Sequence, residues 1–255
     1  MIPYLHNDTE ILINFSGGKD STAMLLYICE TLPQYKKHIV YADTGWEHLD
    51  TWEWCQQLVR QARARYRLTT AELEIHRVAS STKDFISMVR QREMFPSPKY
   101  RQCTSDLKRG PIQTWLRNNI KSPHIISAMG LRSEESAARA KKAQVSINKT
   151  LTNSKREVID WLPIQDWPEE EVRRYVYSAG FGLHPVYNYL NRFSCRVCIF
   201  NNARELAAIE VNDPSSINLI SEIEEEIGFT MNPNGSVREL IDEYNQGENV
   251  AYGSG

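Results

Sequence analysis

Two groups of residues in this sequence have the types and spacing to do chemistry. Ser16-Gly-Gly-Lys-Asp-Ser21 gathers two hydroxyls, two glycines, a cation and a carboxylate in six positions. Glycines let backbone approach phosphate oxygens closely, and the free amides of a following helix favour an anion. The Gly-x-x-x-x-Gly-Lys-Ser/Thr spacing of a Walker A loop is absent, and a glycine pair alone would equally make a tight turn. The second group, Cys195-x-x-Cys198, has metal-ligand spacing, which also suits a redox pair or half of a zinc site. Cys29 and Cys55 sit among apolar helical neighbours and read as small core residues.

The elements that must position these groups follow from the hydrophobic pattern. Short apolar runs at Glu10–Phe15, His38–Ala42, Leu73–Val78, His124–Met129 and Val158–Leu162 read as strands. They alternate with helical patterns at Ser21–Ile28 and from Trp46 to about Arg67. That alternation predicts an α/β fold, a doubly wound and mostly parallel sheet with helices on both faces. Ligands in such sheets bind beyond the carboxyl ends of the strands, where the glycine turns lie. Met94–Arg101 and the basic segment Ala137–Lys155 read as loops. From Pro168 onward the pattern is helical, at Glu169–Ala179, Asn201–Val211, Ile217–Ile227 and Val237–Tyr244, with Asp166 as an expected cap of the first.

The chain has 255 residues, 41% of them hydrophobic, with 30 Lys+Arg against 32 Asp+Glu. This composition excludes collagen-like, disulfide-scaffold and wholly disordered classes. No stretch approaches the ~20 apolar residues of a membrane span, and the first residues lack a secretory pattern, so a cytoplasmic location without membrane partners is expected. Five cysteines, an odd number, argue against a disulfide framework. The net charge of −2 conceals a division: residues 201–255 carry eleven acidic side chains against Arg204 and Arg238, and the first 200 residues sum to +7. The acidic segment reads as a solvated helical surface. The basic excess concentrates in 130–156, with seven Lys/Arg against two Glu, and at Arg60, Arg63, Arg65 and Arg67. Such clusters suit phosphate neutralisation on a nucleic acid, or simply a solvated surface.

The hexapeptide after the first strand resembles the pyrophosphate loop of the ATP-pyrophosphatase superfamily. That resemblance implies that Ser16, Gly17, Gly18, Lys19, Asp20 and Ser21 hold the β/γ-phosphates of ATP with Mg2+, and that cleavage falls between the α- and β-phosphates. Asp43-Thr-Gly, Arg101-Gln-Cys-Thr-Ser-Asp-Leu-Lys108 with Pro111, Gly130-Leu-Arg-Ser-Glu-Glu-Ser-Ala-Ala-Arg139, Trp161–Trp167, His184-Pro-Val-Tyr187 and Arg192–Cys198 also occur. Together they resemble the phosphoadenosine phosphosulfate (PAPS) reductase family over roughly residues 8–200, in a subgroup that includes DNA phosphorothioation sulfurtransferases and phage- and plasmid-borne relatives. The resemblance implies an adenine-nucleotide alpha-hydrolase-like sheet in 1–200, followed by an acidic helical extension in 201–255. It places Asp43 near the ribose or adenine edge and Gly130 with Arg132 in the nucleotide pocket. Arg132 and Arg139 can neutralise charge developed in transfer; a surface ion pair is the other reading of Arg139.

Cys103 is the third family cysteine, beside Cys195 and Cys198. His184 is the nearest candidate for a fourth ligand, although its motif suits a structural or pocket role better. Three thiolates with an open position suit a 4Fe–4S cluster, with zinc as the alternative. Sulfonucleotide reductases of the family use a nucleophilic cysteine near the C-terminus, and this chain has none after Cys198. The expected activity is therefore an ATP-dependent, AMP- and pyrophosphate-forming sulfurtransferase, with Lys19, Asp20, Arg132 and Arg139 as its catalytic side chains. Its expected partners are ATP, a nucleic-acid substrate, a sulfur donor such as a cysteine desulfurase, and a second copy of the chain. The alternatives are a PAPS or adenylyl-sulfate reductase, an FMN adenylyltransferase-like enzyme and a non-catalytic nucleotide-binding protein.

Overall fold

The run Glu10-Ile-Leu-Ile-Asn-Phe15 forms strand β1, and its period-two alternation feeds two cores. In the computed structural model, which describes residues 4–193 and 195–252 with side chains to 247, the chain divides into two units. The expected extents of 1–200 and 201–255 run at residues 1–3, Ser194 and 253–255 outside the described residues. Unit one comprises residues 1–42, 49–78 and 111–184; unit two comprises 43–48, 79–110 and 185–255.

Unit one carries the sheet. After β1 come α1 (Lys19–Thr31), β2 (Lys36–Asp43), α2 (Thr51–Tyr66) and β3 (Leu73–Ala79). Later elements are β4 (His124–Met129), β5 (Val145–Ile147) and β6 (Glu157–Trp161). The strand order is β3-β2-β1-β4-β6-β5, with β1 parallel to β2 and β4, and β4 parallel to β6. Only β5 against β6 is antiparallel among the described pairings. The chain thus winds outward from β1 through β2 to β3, then returns to the other side of β1 for β4. This reversal puts the topological switch point beyond the ends of β1 and β4, where ligands of doubly wound sheets bind.

Helices cover both faces. Ile11, Ile13 and Phe15 pack with Met24, Leu25 and Ile28 of α1 and with Cys55, Leu58 and Val59 of α2. Leu12 faces the other way, into Val40, Leu116, Ile120, Ile125 and Val158. Cys29 and Cys55 are buried in this core, and burial pushes the Cys29 thiol up to about 12, as inert packing residues require.

Unit two is helical. It holds α3 (Phe85–Arg92), the short α4 (Gln102–Thr104) and a π-helical turn at Ser105–Arg109, which leads into α5 (Gly110–Asn119). A four-residue α6 (Ala137–Ala140) and α7 (Glu169–Ser178) belong to unit one. Unit two ends with α8 (Ala203–Asn212), α9 (Pro214–Ile227) and α10 (Val237–Tyr252). Its interior includes Trp46 stacked on Phe85 at 5.8 Å, with Leu206, Ile209, Ile220, Ile223 and Ile241 also buried.

Four expectations are corrected. The helix expected from Trp46 begins only at Thr51, because Trp46 is drawn into the unit-two core at 2% exposure. The expected loop Ala137–Lys155 contains α6 and β5, elements too short to show a period. Asp166 does not cap α7: no side chain of the N-cap Pro168 bonds there, and the Glu134 carboxylate accepts from Glu169 N–H at 2.9 Å instead. The acidic segment is more than solvated surface. Glu205 and Glu224 are buried, and Glu224 accepts from the amides of Met231 (2.7 Å) and Val237 (3.0 Å). No described helix is long and apolar enough to cross a membrane.

Candidate nucleotide loop and cysteine site

Ser16–Ser21 leaves β1 and opens α1 at the switch point. Gly17 takes the left-handed conformation at φ 75°, which an L side chain would strain. Gly18 is the helix N-cap and supplies no side-chain cap to the first turn. Ser21 Oγ donates to Gly18 O at 3.0 Å and accepts from Ser16 N–H at 3.3 Å, so the hydroxyls brace the loop internally. The Trp54 indole donates to Gly17 O at 3.0 Å from α2. The result is a turn with helix-terminal amides, fixed by side chains from three elements.

A second backbone segment presses on this loop. A Cβ on Gly130, just after β4, would stand 3.0 Å from Asp20 O and 3.1 Å from Ser21 N. Glycine at 130 is therefore a condition of the close approach of the two loops. The next residues bring in Arg132, buried to 3% exposure. Its Nε donates to Asp20 Oδ1 at 2.6 Å, and its remaining nitrogens lie 2.5 Å from Glu134 and 3.6 Å from Glu169. Burial by itself would lower the Arg132 pKa, but Asp20 and Glu134 hold it above its usual value. Lys19, 5% exposed, has Nζ 3.1 Å from Asp20 and 3.6 Å from Glu169. Two cations are thus held at a helix N-terminus by carboxylates that also restrain them.

The structure brings Lys19, Asp20, Arg132 and Gly130 together with the hydroxyls of Ser16 and Ser21. Arg139 stands differently: it pairs with Glu135 one helical turn away, which is the ion-pair reading. Sequence reasoning missed Glu169, Glu134 and Trp54, whose roles depend on contacts across 35 or more positions. The run Glu169-Glu-Glu at a helix start was a visible signal for negative charge there. In unit two, Asp43 accepts from Gly45 N–H at 2.9 Å and lines a cavity of about 390 Å3 with Thr44, Ser80, Thr82, Lys83 and Asp84.

The three motif cysteines all lie in unit two, with their charges felt by one another. Cys103 sits on α4, and the backbone of Cys195 pairs with that of Glu47 in an isolated antiparallel β-bridge. The Cys195–Cys198 turn is clamped at each position. Arg196 N–H donates to Trp46 O at 3.0 Å, Trp46 Nε1 donates to Val197 O at 2.9 Å, and Cys198 N–H donates to Asn201 Oδ1 at 2.6 Å. The Arg196 guanidinium lies over the Trp46 ring and makes a two-pronged pair with Asp213 at 2.8 Å.

Burial pushes the Cys195 thiol up to about 12 and raises Cys103, and Lys108 opposes both shifts. Lys108, carried by the π-helical turn, stands 3.3 Å from Glu47. Burial would lower its pKa, but Cys195 and Glu47 hold the ammonium above its usual value. Lys108 and Glu47 therefore form the charge environment of the cysteines, a role that spacing alone did not single out. Within unit one, His184 Nε2 lies 3.0 Å from Asp50 Oδ2 with its ring edge-on to Trp54, the structural role weighed above.

The family model for the phosphoadenosine phosphosulfate reductase domain matches residues 10–192. The chain belongs to that family. No curated protein matches its sequence. Among solved structures it is similar to the phosphoadenylyl-sulfate (PAPS) reductase from Candida auris in its phosphate complex, at 15% identity and TM-score 0.43, over 71% of this chain and 77% of that one. It is also similar to the U34-tRNA thiolase NcsA from Methanococcus maripaludis with its 4Fe–4S cluster, at 15% identity and TM-score 0.47, over 95% and 73% respectively. Family membership covers β1 through the segment before the cysteine turn, and so includes the glycine loop, Gly130, Arg132 and Cys103.

Proposed function

We propose that this member of the PAPS reductase domain family is an ATP-dependent sulfurtransferase that forms AMP and pyrophosphate and thiolates a nucleic acid. One observation carries the reading. An intact phosphate loop with two restrained cations occurs in the same chain as the three motif cysteines of unit two. An already activated sulfonucleotide would not need the loop.

The α1 amides, Lys19 and Arg132 receive the β- and γ-phosphates, and a substrate oxygen attacks the α-phosphorus. The bond to the bridging oxygen breaks, and charge builds on the departing pyrophosphate, where both cations already stand. Asp20 and Glu169 position Lys19 and Arg132 for this step. Displacement of AMP by sulfur completes the transfer.

Cys103, Cys195 and Cys198 would hold the iron–sulfur group. Three thiolates leave one position open on a 4Fe–4S cluster, whereas a structural zinc takes four protein ligands. Bound there, a 4Fe–4S cluster supplies an iron with an open position for sulfur. Lys108 stabilises the thiolate forms that any such ligation requires.

Exposed Lys141, Lys142, Lys149 and Lys155 of unit one support a polyanionic substrate, as do Arg60, Arg65 and Arg67. Arg63 is withdrawn from that set, since its Nε donates to Leu73 O at 2.7 Å. The test is ATP turnover with and without tRNA or DNA. Pyrophosphate and AMP formed in equal amounts, and stimulated by one of these polymers, support the reading; reduction of PAPS to sulfite without ATP turnover overturns it.

A further inference from the structure

The sheet of unit one carries a second donor cluster, at its outer strands β2 and β3. Glu74 and His76 are two apart on β3 and so project from the same face, and His38 is on the neighbouring strand β2. One donor atom from each of the three lies within 4.8 Å of the other two. Such a set of two imidazoles and a carboxylate has the composition of a zinc site that keeps a position for water.

Independent features point the same way. His38 is 4% exposed, yet its Nδ1 is buried with no hydrogen-bond partner; His76 Nε2 is also buried without a hydrogen bond, its neighbour Glu74 Oε2 standing 3.4 Å away. Buried polar nitrogens left unsatisfied are costly, and a bound ion would satisfy them. The other nitrogen of His38, Nε2, is held 2.5 Å from Glu10 Oε2 on β1. A carboxylate on the far nitrogen is the usual way in which a metal-binding histidine is oriented and made more basic. Trp115 packs against both rings, 4.4 Å from His76 and 5.6 Å from His38, and fixes their planes. Glu74, with about half its side chain exposed, gives the site an opening to solvent.

We propose that His38, Glu74 and His76 form a site for a borderline divalent transition ion such as zinc, with Glu10 as the positioning residue for His38. The ion would tie β2 to β3 at the sheet edge. Nothing in this assignment depends on the sulfurtransferase reading.

The test is a Co2+ titration of the full chain followed in the visible. Cobalt bound by imidazole and carboxylate gives ligand-field bands without thiolate-to-metal charge transfer, which separates this site from the cysteines. One equivalent of sulfur-free bands is expected in the wild type and in Cys198→Ala, with loss in His76→Ala. Glu10→Gln should weaken binding about 10- to 100-fold. Glu74→Gln, a change at an exposed position that leaves the fold intact, should weaken it too. The absence of sulfur-free bands from the wild type, or their persistence unchanged in both Glu74→Gln and Glu10→Gln, would overturn the assignment.

Discussion

Arg132 donates through Nε to Asp20 Oδ1 at 2.6 Å, joining the loop after β4 to the glycine loop after β1. The pair sits where the winding of the sheet reverses, and it gives the glycine loop a second cation that the hexapeptide does not contain. Arg132→Lys keeps the charge but loses the forked geometry that serves Asp20, Glu134 and Glu169 together. The expected result is a kcat for pyrophosphate formation lower by about 100-fold with the fold retained. Arg132→Ala should also cost about 1–3 kcal/mol of stability, because Asp20, only partly exposed, loses its charged hydrogen-bond partner. Steady-state kinetics and urea unfolding separate the two effects.

Gly130→Ala should damage the proposed nucleotide site without touching a polar group. The added methyl meets the backbone of Asp20 and Ser21 at 3.0–3.1 Å, so the loop must shift. A loss of about 1–3 kcal/mol in ATP binding is expected from such overpacking. Gly182→Ala is the control, since nothing lies within 4 Å of its added Cβ. Calorimetric titration with ATP reads the difference.

If the cysteines hold the proposed cluster, Lys108→Gln should reduce its loading. Burial raises Cys103 and Cys195, and Lys108 is the main group lowering both. Affinity at the cysteine site should drop about 10-fold or more on reconstitution, with Lys108→Arg restoring most of it. Equal loading of all three proteins would show that the ammonium does not serve the thiolates.

The Asp213–Arg196 pair should make the cysteine turn acid-sensitive. Hydrogen bonds from Arg196, opposed by burial, pull the Asp213 carboxyl down to about 2 from 3.8. A depressed carboxylate stabilises the fold above its unfolded pKa and loses that contribution as pH falls through the folded value. Asp213→Asn should therefore cost roughly 1 kcal/mol at neutral pH after allowance for solvent screening. The gap from the wild type should close between about pH 4 and 2. A gap constant across that range in urea titrations would contradict this.

Much of unit one was legible in the sequence because strands such as Glu10–Phe15 and His124–Met129 are buried on both faces and read as continuous apolar runs. The loop hexapeptide was equally visible, since its chemistry is local. Trp46 misled because its ring stacks on Phe85 and its indole N–H donates to Val197 O, 151 positions away, so it takes no part in the helix that begins at Thr51. Glu169 and Lys108 escaped for a related reason. A charged residue at a helix start or within a motif reads as surface until its partner is known, and these partners are distant in the chain. The basic segment showed its charge but not how that charge divides: Arg132 is buried among carboxylates, Arg139 is paired, and the four lysines remain exposed.

The most direct test of the account is the iron and acid-labile sulfide content of protein purified without oxygen. The account predicts about four of each per chain, as a 4Fe–4S cluster requires, with loss of both in Cys198→Ala. Zinc in the cysteine site with no iron, or iron retained in full by Cys198→Ala, would contradict it.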